Sequence, residues 1–375
     1  MKSLIIVVYS ICTAVAGNAQ VINEYMEVDR TALNIPVAQA NTTADIAAYI
    51  KSNFNSDSKK VRAIYAWITA NIKYDKDSPH LAILNEDREQ KINAALKRRK
   101  GVCENYAAIF NDICIKSGLK SFVIEGYTKQ NGSTDKSPHA WCTTLIDNKW
   151  LLYDPTWDAD FANSILFTSK GKNDYFQVPP LVFIESHMPF DPMFQLLDYP
   201  VTYNEFYNGS IRINANKPYF NYADSIGAYE KLNPLAQYSA TASRMEKNGT
   251  PRKMVTNRIN QLKMEIEIIN QDKDAALYNS AVADYNDALA IFNNFLTYRN
   301  NQFIPAKTDD EIQAMFDGIE KLIMTANIKL KEVNQSKATL TLNTSAVEKK
   351  LTDLSEHSKE QQIFLKTYLS DAKKN

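Results

Sequence analysis

A change of period at Ser121 constrains this chain more than any other feature. From Thr43 to Lys120 apolar residues recur three and four apart, as in Val61, Ile64, Tyr65, Ile68 and Ile72 within "KKVRAIYAWITANIKYD". That spacing lays an apolar stripe along each of several helices. From Ser121 to about Asp158 the period falls to two, in "SFVIEGYTK", "HAWCTTLID" and "KWLLYDPTW", with "QNGSTDKSP" and "DN" between the runs. Turn residues between alternating β-branched and aromatic runs predict antiparallel strands. The expectation is an α+β core, a helical front packed on an antiparallel sheet.

Residues 171–220 are rich in proline and aromatic residues, which suits loops and short helices over the sheet. From 221 onward only Gly227, Gly249 and Gly318 interrupt long segments rich in Lys, Glu, Asn and Gln. Apolar stripes run through them: Val255, Ile259, Leu262, Ile266, Ile269; then Tyr278, Val282, Tyr285, Leu289, Phe292, Leu296; then Ile312, Phe316, Ile319, Ile323, Ala326, Leu330, Val333; and Val347, Leu351, Leu354, Leu365, Tyr368. They predict a three-helix antiparallel bundle or hairpin turning at "NNQFIPAKTDD" and "QSKATLTLNTS". The expected division is a leader over 1–19, a core with its Pro/aromatic extension over 20–215, a helical linker over 216–253 and an all-α bundle over 254–375.

Lys2, the apolar run Leu4–Ala16 and the small residues Gly17 and Ala19 before Gln20 have the parts of a secretory signal peptide. The run of 13 residues is shorter than the roughly 20 a membrane span needs. Export to the periplasm or the exterior is therefore expected, with no membrane span. Cys12 lies in the leader, which leaves Cys103, Cys114 and Cys142, an odd set in an oxidising compartment. At least one thiol stays unpaired. Lys plus Arg and Asp plus Glu both number 43, so no net field attracts a nucleic acid. Zinc, P-loop and EF-hand motifs are missing from the sequence, and no metal or cofactor is expected.

Within "KGVCENYAAIF", Cys103 follows Gly101 and opens a helical run, where a helix N-terminus favours the thiolate. His139 begins an alternating run, "HAWCTTLID", and Asp154 ends the next one, ahead of Pro155. A turn at "IDNKW" brings Asp154 beside His139, which makes a Cys, His, Asp series of nucleophile, base and orienting carboxylate. Each residue has a plainer reading too: a small buried thiol, a core histidine, a turn cap. Trp67, Tyr106 and Trp141 are candidates for the substrate cleft, although Trp141, Trp150 and Trp157 suit a core more readily than a substrate platform. His187, Cys114 and Cys142 are read as structural.

"GVCENYA", "HAW" and "LYDPTWD" together resemble the core of the transglutaminase-like superfamily, whose members share a papain-like fold. "VRAIYAWITANIKYD" and "PPLVFIESHMPFDPMFQLLDYPVTYNEF" resemble segments flanking the core in the branch typified by kyphoscoliosis peptidase. The resemblance spans about Ile46 to Phe206. It implies a Cys103 nucleophile, a His139 base and acid, and an orienting Asp154, acting on a peptide or side-chain amide through a thioester. A silent scaffold of the same fold and a protein-crosslinking transglutaminase are the alternatives. Asn105 stands where many relatives have Gly, and Lys97 where a papain-type Gln would be, so the oxyanion donor stays open between Trp67 and Tyr74 upstream. The expected partner is a protein or peptide substrate, with the C-terminal helices available to a second protein.

Overall fold

The computed structural model describes residues 25–76, 88–159, 173–249, 252–336 and 342–372. The leader and Cys12 lie outside them. Contacts divide the chain into two compact units, Met1–Ile259 and Asn260–Asn375.

The first unit begins with helices whose starts are written in the sequence. Helix α1 (Thr43–Asn53) is opened by Thr42, whose hydroxyl accepts the Asp45 N–H while the Asp45 carboxylate accepts the Thr42 N–H. Helix α2 (Asp57–Asn71) is capped by Ser56 and buries Val61, Ile64, Tyr65, Trp67 and Ile68. Strand β1 (Lys73–Tyr74), helix α3 (Arg88–Arg98) and strand β2 (Lys100–Gly101) lead to the central helix α4 (Cys103–Lys116). β1 and β2 pair in parallel, with Tyr74 opposite Gly101. α4 stops at Gly118, whose φ of 87° suits glycine, while the Leu119 N–H bonds back to the Cys114 carbonyl at 2.9 Å.

The sheet follows the change of period. Its strands are β3 (Lys120–Gln130), β4 (Ser133–Thr134), β5 (His139–Ile146), β6 (Lys149–Tyr153), β7 (Phe176–Val178) and β8 (His187–Pro189). The order is β4-β3-β5-β6-β7, with β8 also beside β3, and every pairing is antiparallel. Asp147 and Asn148, at φ 48° and 62°, make the two-residue turn that sets Cys142 opposite Tyr153. Strand alternation then splits the sheet between two cores. Ala140, Cys142 and Tyr153 face the helices, with Phe110 and Ile113 of α4. Trp141, Trp150 and Leu152 face the other way, onto Phe183, Met193 and Ile226. The α+β arrangement expected from the sequence is the one the chain adopts.

The stretch read as a linker is folded into this unit. Helices α8 (Tyr222–Tyr229) and α9 (Pro234–Lys247) follow the short helices α5 (Pro155–Ala159), α6 (Pro180–Phe183) and α7 (Tyr203–Tyr207). Ile226 is fully buried against Met193 and Phe194, and Arg244 pairs with buried Asp191 at 2.6 Å. Ile226 anchors α8, and Met245, Ala242 and the Arg244 ion pair anchor α9, a sparse signal within a polar stretch.

The second unit is helical: most of α10 (Lys253–Asn300), then α11 (Asp309–Gln335) and α12 (Thr344–Ala372). Phe292, Phe295, Phe316, Ile319, Ile323, Leu330, Leu351 and Leu354 form its core, with Phe295 and Phe316 ring centres 4.6 Å apart. Three of the four predicted stripes meet there. Among the described residues no helix is long and apolar enough to cross a membrane.

Candidate active site

The local sequence fixes Cys103 at the head of α4. Val102 is extended, and its N–H bonds to Oδ1 of Asn105 at 3.0 Å while its carbonyl accepts the Asn105 and Tyr106 N–H groups. Asn105 therefore folds back over Gly101, where an added Cβ would stand 2.7 Å from its own Cβ. Glycine at 101 and asparagine at 105 are a steric pair that closes the first turn. The thiol, 7% exposed, opens onto a cleft of about 800 Å³ that is also lined by Tyr74, His139, Trp157, Asp158 and Tyr175.

His139 is the first residue of β5, with its ring between those of Trp141 and Trp157 at 6.1 and 5.8 Å. Its Nε2–H donates to Oδ2 of Asp154 at 2.6 Å, and the ring lines the same cleft as Cys103. With Nε2 taken, Nδ1 is the nitrogen left for the thiol. Burial alone pulls the imidazole pKa down, but the charge and hydrogen bond of Asp154, with a smaller push from Cys103, raise it to about 10. The ring is an imidazolium at neutral pH.

The two carboxylate oxygens of Asp154 take different partners. Oδ1 accepts the N–H groups of Thr156 at 2.9 Å and Trp157 at 3.4 Å, capping α5, whose first residue is Pro155. Oδ2 faces His139. The backbone is pinned as well: the Asp154 N–H donates to the Tyr175 carbonyl at 2.9 Å and its carbonyl accepts the Tyr65 hydroxyl at 3.0 Å. Burial favours the neutral acid, yet the two imidazoles beside it hold the carboxyl below the usual carboxylate range. Next to it, Tyr65 also donates to Asp158 at 2.6 Å, and burial pushes the Asp158 carboxyl up to about 7.

The second of those imidazoles is His187, whose Nε2 lies 3.2 Å from the same Oδ2. Its sequence setting, "SHMPFD", gave only a structural reading. The one available signal was a histidine in a short run that could pair with the sheet, and strand pairing is not readable residue by residue. His139, Asp154 and His187 offer three ligand atoms within 4.8 Å of one another. The 2.6 Å separation of His139 and Asp154 leaves no room for an ion between them, so the set reads as a hydrogen-bonded one.

The structure brings Cys103, His139 and Asp154 together and places the three cleft candidates elsewhere. Trp67 is in the core beneath the Arg99 guanidinium, at 4.9 Å. Tyr106 is fully buried, donating its hydroxyl to the Ile72 carbonyl. Trp141 packs over Gly126 and against Phe183. Tyr74, Trp157 and Tyr175 line the cleft instead. Periodicity shows which face of an element is apolar, not whether that face meets a core or an opening. Of the upstream oxyanion candidates, Tyr74 is in the cleft, because its pairing with Gly101 sets it level with the nucleophile. Lys97 is exposed on α3. Cys114 and Cys142 are fully buried and unpaired.

Residues 44–155 match the family model described as the transglutaminase-like superfamily. Kyphoscoliosis peptidase of Mus musculus is 32% identical over 163 residues, 41% of this chain and 24% of that protein. Hillarin of Drosophila melanogaster is 25% identical over 207 residues, 49% of this chain and 24% of that one. The chain thus spans about a quarter of the length of these curated relatives. The periplasmic domain of TgpA from Pseudomonas aeruginosa aligns in structure at 18% identity and a TM-score of 0.27, over 35% of this chain and 47% of that one. The family model and the ordered Cys, His and Asp motifs fall on the same stretch, so residues 44–155 of this chain match a transglutaminase-like domain.

Proposed function

We propose that the first unit is a cysteine hydrolase of peptide or side-chain amides. The observation that carries the reading is His139 bonded to Asp154 at 2.6 Å and sharing the wall of one cleft with Cys103. The Cys103 thiolate attacks the amide carbonyl carbon, and a C–S bond forms as the carbonyl π pair moves to oxygen. In this reading the backbone N–H at Cys103 and Tyr74, which lines the cleft, receive that oxyanion. His139 gives its Nδ1 proton to the leaving nitrogen as the C–N bond breaks, leaving a thioester. A water then loses its proton to Nδ1 and attacks, and the C–S bond breaks. Asp154 stays ionised throughout and holds the ring by Nε2.

Hydrolysis rather than transfer to an amine is supported by the compact core and by the name of the mouse relative, a peptidase. The chemistry asks for no cofactor. Export through the leader 1–19 belongs to the same proposal. The intact mass of chain recovered outside the cytoplasm should begin at Gln20, and a mass retaining Met1 refutes export.

The first test is the pH dependence of Cys103 alkylation by iodoacetamide, located by mass spectrometry, in the wild type and His139→Ala. Fast labelling well below the free-thiol pKa of about 8.5, lost without His139, is the expected result. An ordinary thiol titration in both proteins overturns the reading and leaves a silent scaffold. Amine incorporation into a thioester trapped on Cys103, faster than its hydrolysis, would move the assignment to crosslinking.

A further inference from the structure

We propose that His187 is a positioning residue for this site: its neutral imidazole donates to the Asp154 oxygen that also holds His139, and so sets how strongly that carboxylate draws on the His139 proton. The inference rests on the reading of Cys103, His139 and Asp154 as reacting groups.

The tautomer follows from the partners. Nε2 of His187 lies 3.2 Å from a carboxylate oxygen, which only accepts, so Nε2 carries hydrogen. Nδ1 is then the acceptor, and the Ser186 hydroxyl stands 2.7 Å from it. In a neutral ring only the Nε2–H tautomer satisfies both nitrogens. The walls agree. His187 has no exposed surface and lies against the rings of Phe183 at 4.0 Å, Trp157 at 4.4 Å, Trp141 at 5.2 Å and Tyr175 at 5.5 Å. Burial among them lowers the imidazole to about 4 against the pull of Asp154, so the ring supplies a dipole and not a second positive charge.

The fold makes a steric allowance for this contact. β8 lies beside β3 with Thr128 opposite His187 and Pro189 opposite Gly126. A Cβ on Gly126 would stand 2.2 Å from the Met188 carbonyl oxygen and 2.5 Å from the Trp141 ring. Glycine at 126 is what lets the strand bearing His187 come in. The Asp154 carboxylate accordingly receives four N–H groups, two on each oxygen.

Removing the His187 donor leaves Oδ2 with His139 alone. The carboxylate becomes more basic, and His139 holds its proton to higher pH. The other titratable groups facing this pair are Cys103 on His139, Asp135 on the strand connection before β5, Asp158 and Tyr175 beside Asp154, Tyr65 on its carbonyl, and buried Cys142 of β5. All of them stay in place when only residue 187 changes.

The test is ¹⁵N NMR of the imidazoles in the full chain, which has four histidines. In the wild type, His187 should show the neutral Nε2–H tautomer on both sides of pH 7. In His187→Phe the midpoint of His139 should move up by about half to one pH unit. His187→Gln, whose amide N–H reaches the place of Nε2–H, should restore it, and Ser186→Ala should move it the same way by less. A charged or Nδ1–H ring at 187 in the wild type, or a His139 midpoint indifferent to His187→Phe, overturns the proposal. If His187→Phe does not fold, the wild-type tautomer and the Ser186→Ala midpoint decide it on the same terms. The imidazole signals report whether or not Cys103 reacts, so loss of the hydrolase reading and loss of this one are separate outcomes.

Discussion

The two units of this chain bury different things. In the first, several charged side chains go inside with charged or polar partners: Arg62 makes two 2.6 Å bonds to Asp29, Arg244 grips Asp191, and Asp154 takes two histidines. In the second, the interior is Phe295, Phe316, Ile319, Leu330 and Leu351, while ion pairs such as Lys329–Asp284 keep part of their surface in water. Burying a polar group is costly unless every lone pair and proton finds a partner. The striped helices of the second unit largely avoid that cost. The first unit accepts it at Asp154, whose carboxylate holds both His139 and His187.

The largest effect that tests this contrast is expected from Asp154→Asn. The amide keeps an oxygen for the Thr156 N–H, so the cap on α5 and the fold survive, but the charge that raises His139 is gone. Thiolate formation at Cys103, read as alkylation at pH 6, should fall by about two orders of magnitude, and the first unit should melt lower by the stability the raised His139 had contributed while still unfolding cooperatively. Failure of the variant to fold at all would make Asp154 a packing residue. Phe316→Ala is the mirror image. It should cost about 3–5 kcal/mol in the unfolding of the second unit and leave Cys103 alkylation unchanged. Denaturant melts read by helical circular dichroism, beside the labelling assay, separate the two.

The same contrast decides how much could be read from the sequence. The second unit was legible almost residue by residue: Ile312, Phe316, Ile319, Ile323, Ala326 and Leu330 were named as a stripe and are buried. Packing of that kind is carried by local periodicity, which sequence displays. In the first unit the register between β5 and β6 was legible too, because a two-residue turn dictates it, and with it the approach of His139 to Asp154. His187 was not. It comes 33 residues after Asp154, on a three-residue strand whose place beside β3 depends on the missing Cβ of Gly126. Trp67 and Tyr106 failed for a related reason: their faces were correctly apolar, but the cleft opens one pairing away, where Tyr74 is.

Acid–base linkage sharpens the comparison further. His139 is raised to about 10 in the folded protein, against about 6.5 unfolded. A raised imidazole contributes stability that is full below pH 6.5 and is lost as pH rises through 10. The unfolding midpoint of the first unit should therefore drop across that window, and His139→Gln should flatten the drop. An unaltered slope in the variant would place the alkaline loss elsewhere.

The smallest effect expected is at a helix start in the second unit. Thr308 accepts the Glu311 N–H at 3.2 Å, and Glu311 returns the bond to the Thr308 N–H at 2.7 Å, a reciprocal cap, unlike that of Asp154, and one with no second task for the carboxylate. Thr308→Ala should cost the second unit about 1 kcal/mol, seen as a shift of its denaturant midpoint at constant slope. Alkylation of Cys103 and the titration of His139 should both stay where they are. A cap that only ends a helix gives up its own bonds and nothing more, whereas the cap at Asp154 shares its carboxylate with two imidazoles. If Thr308→Ala disturbed the thiol as Asp154→Asn is expected to, the contrast drawn between the two units would fail.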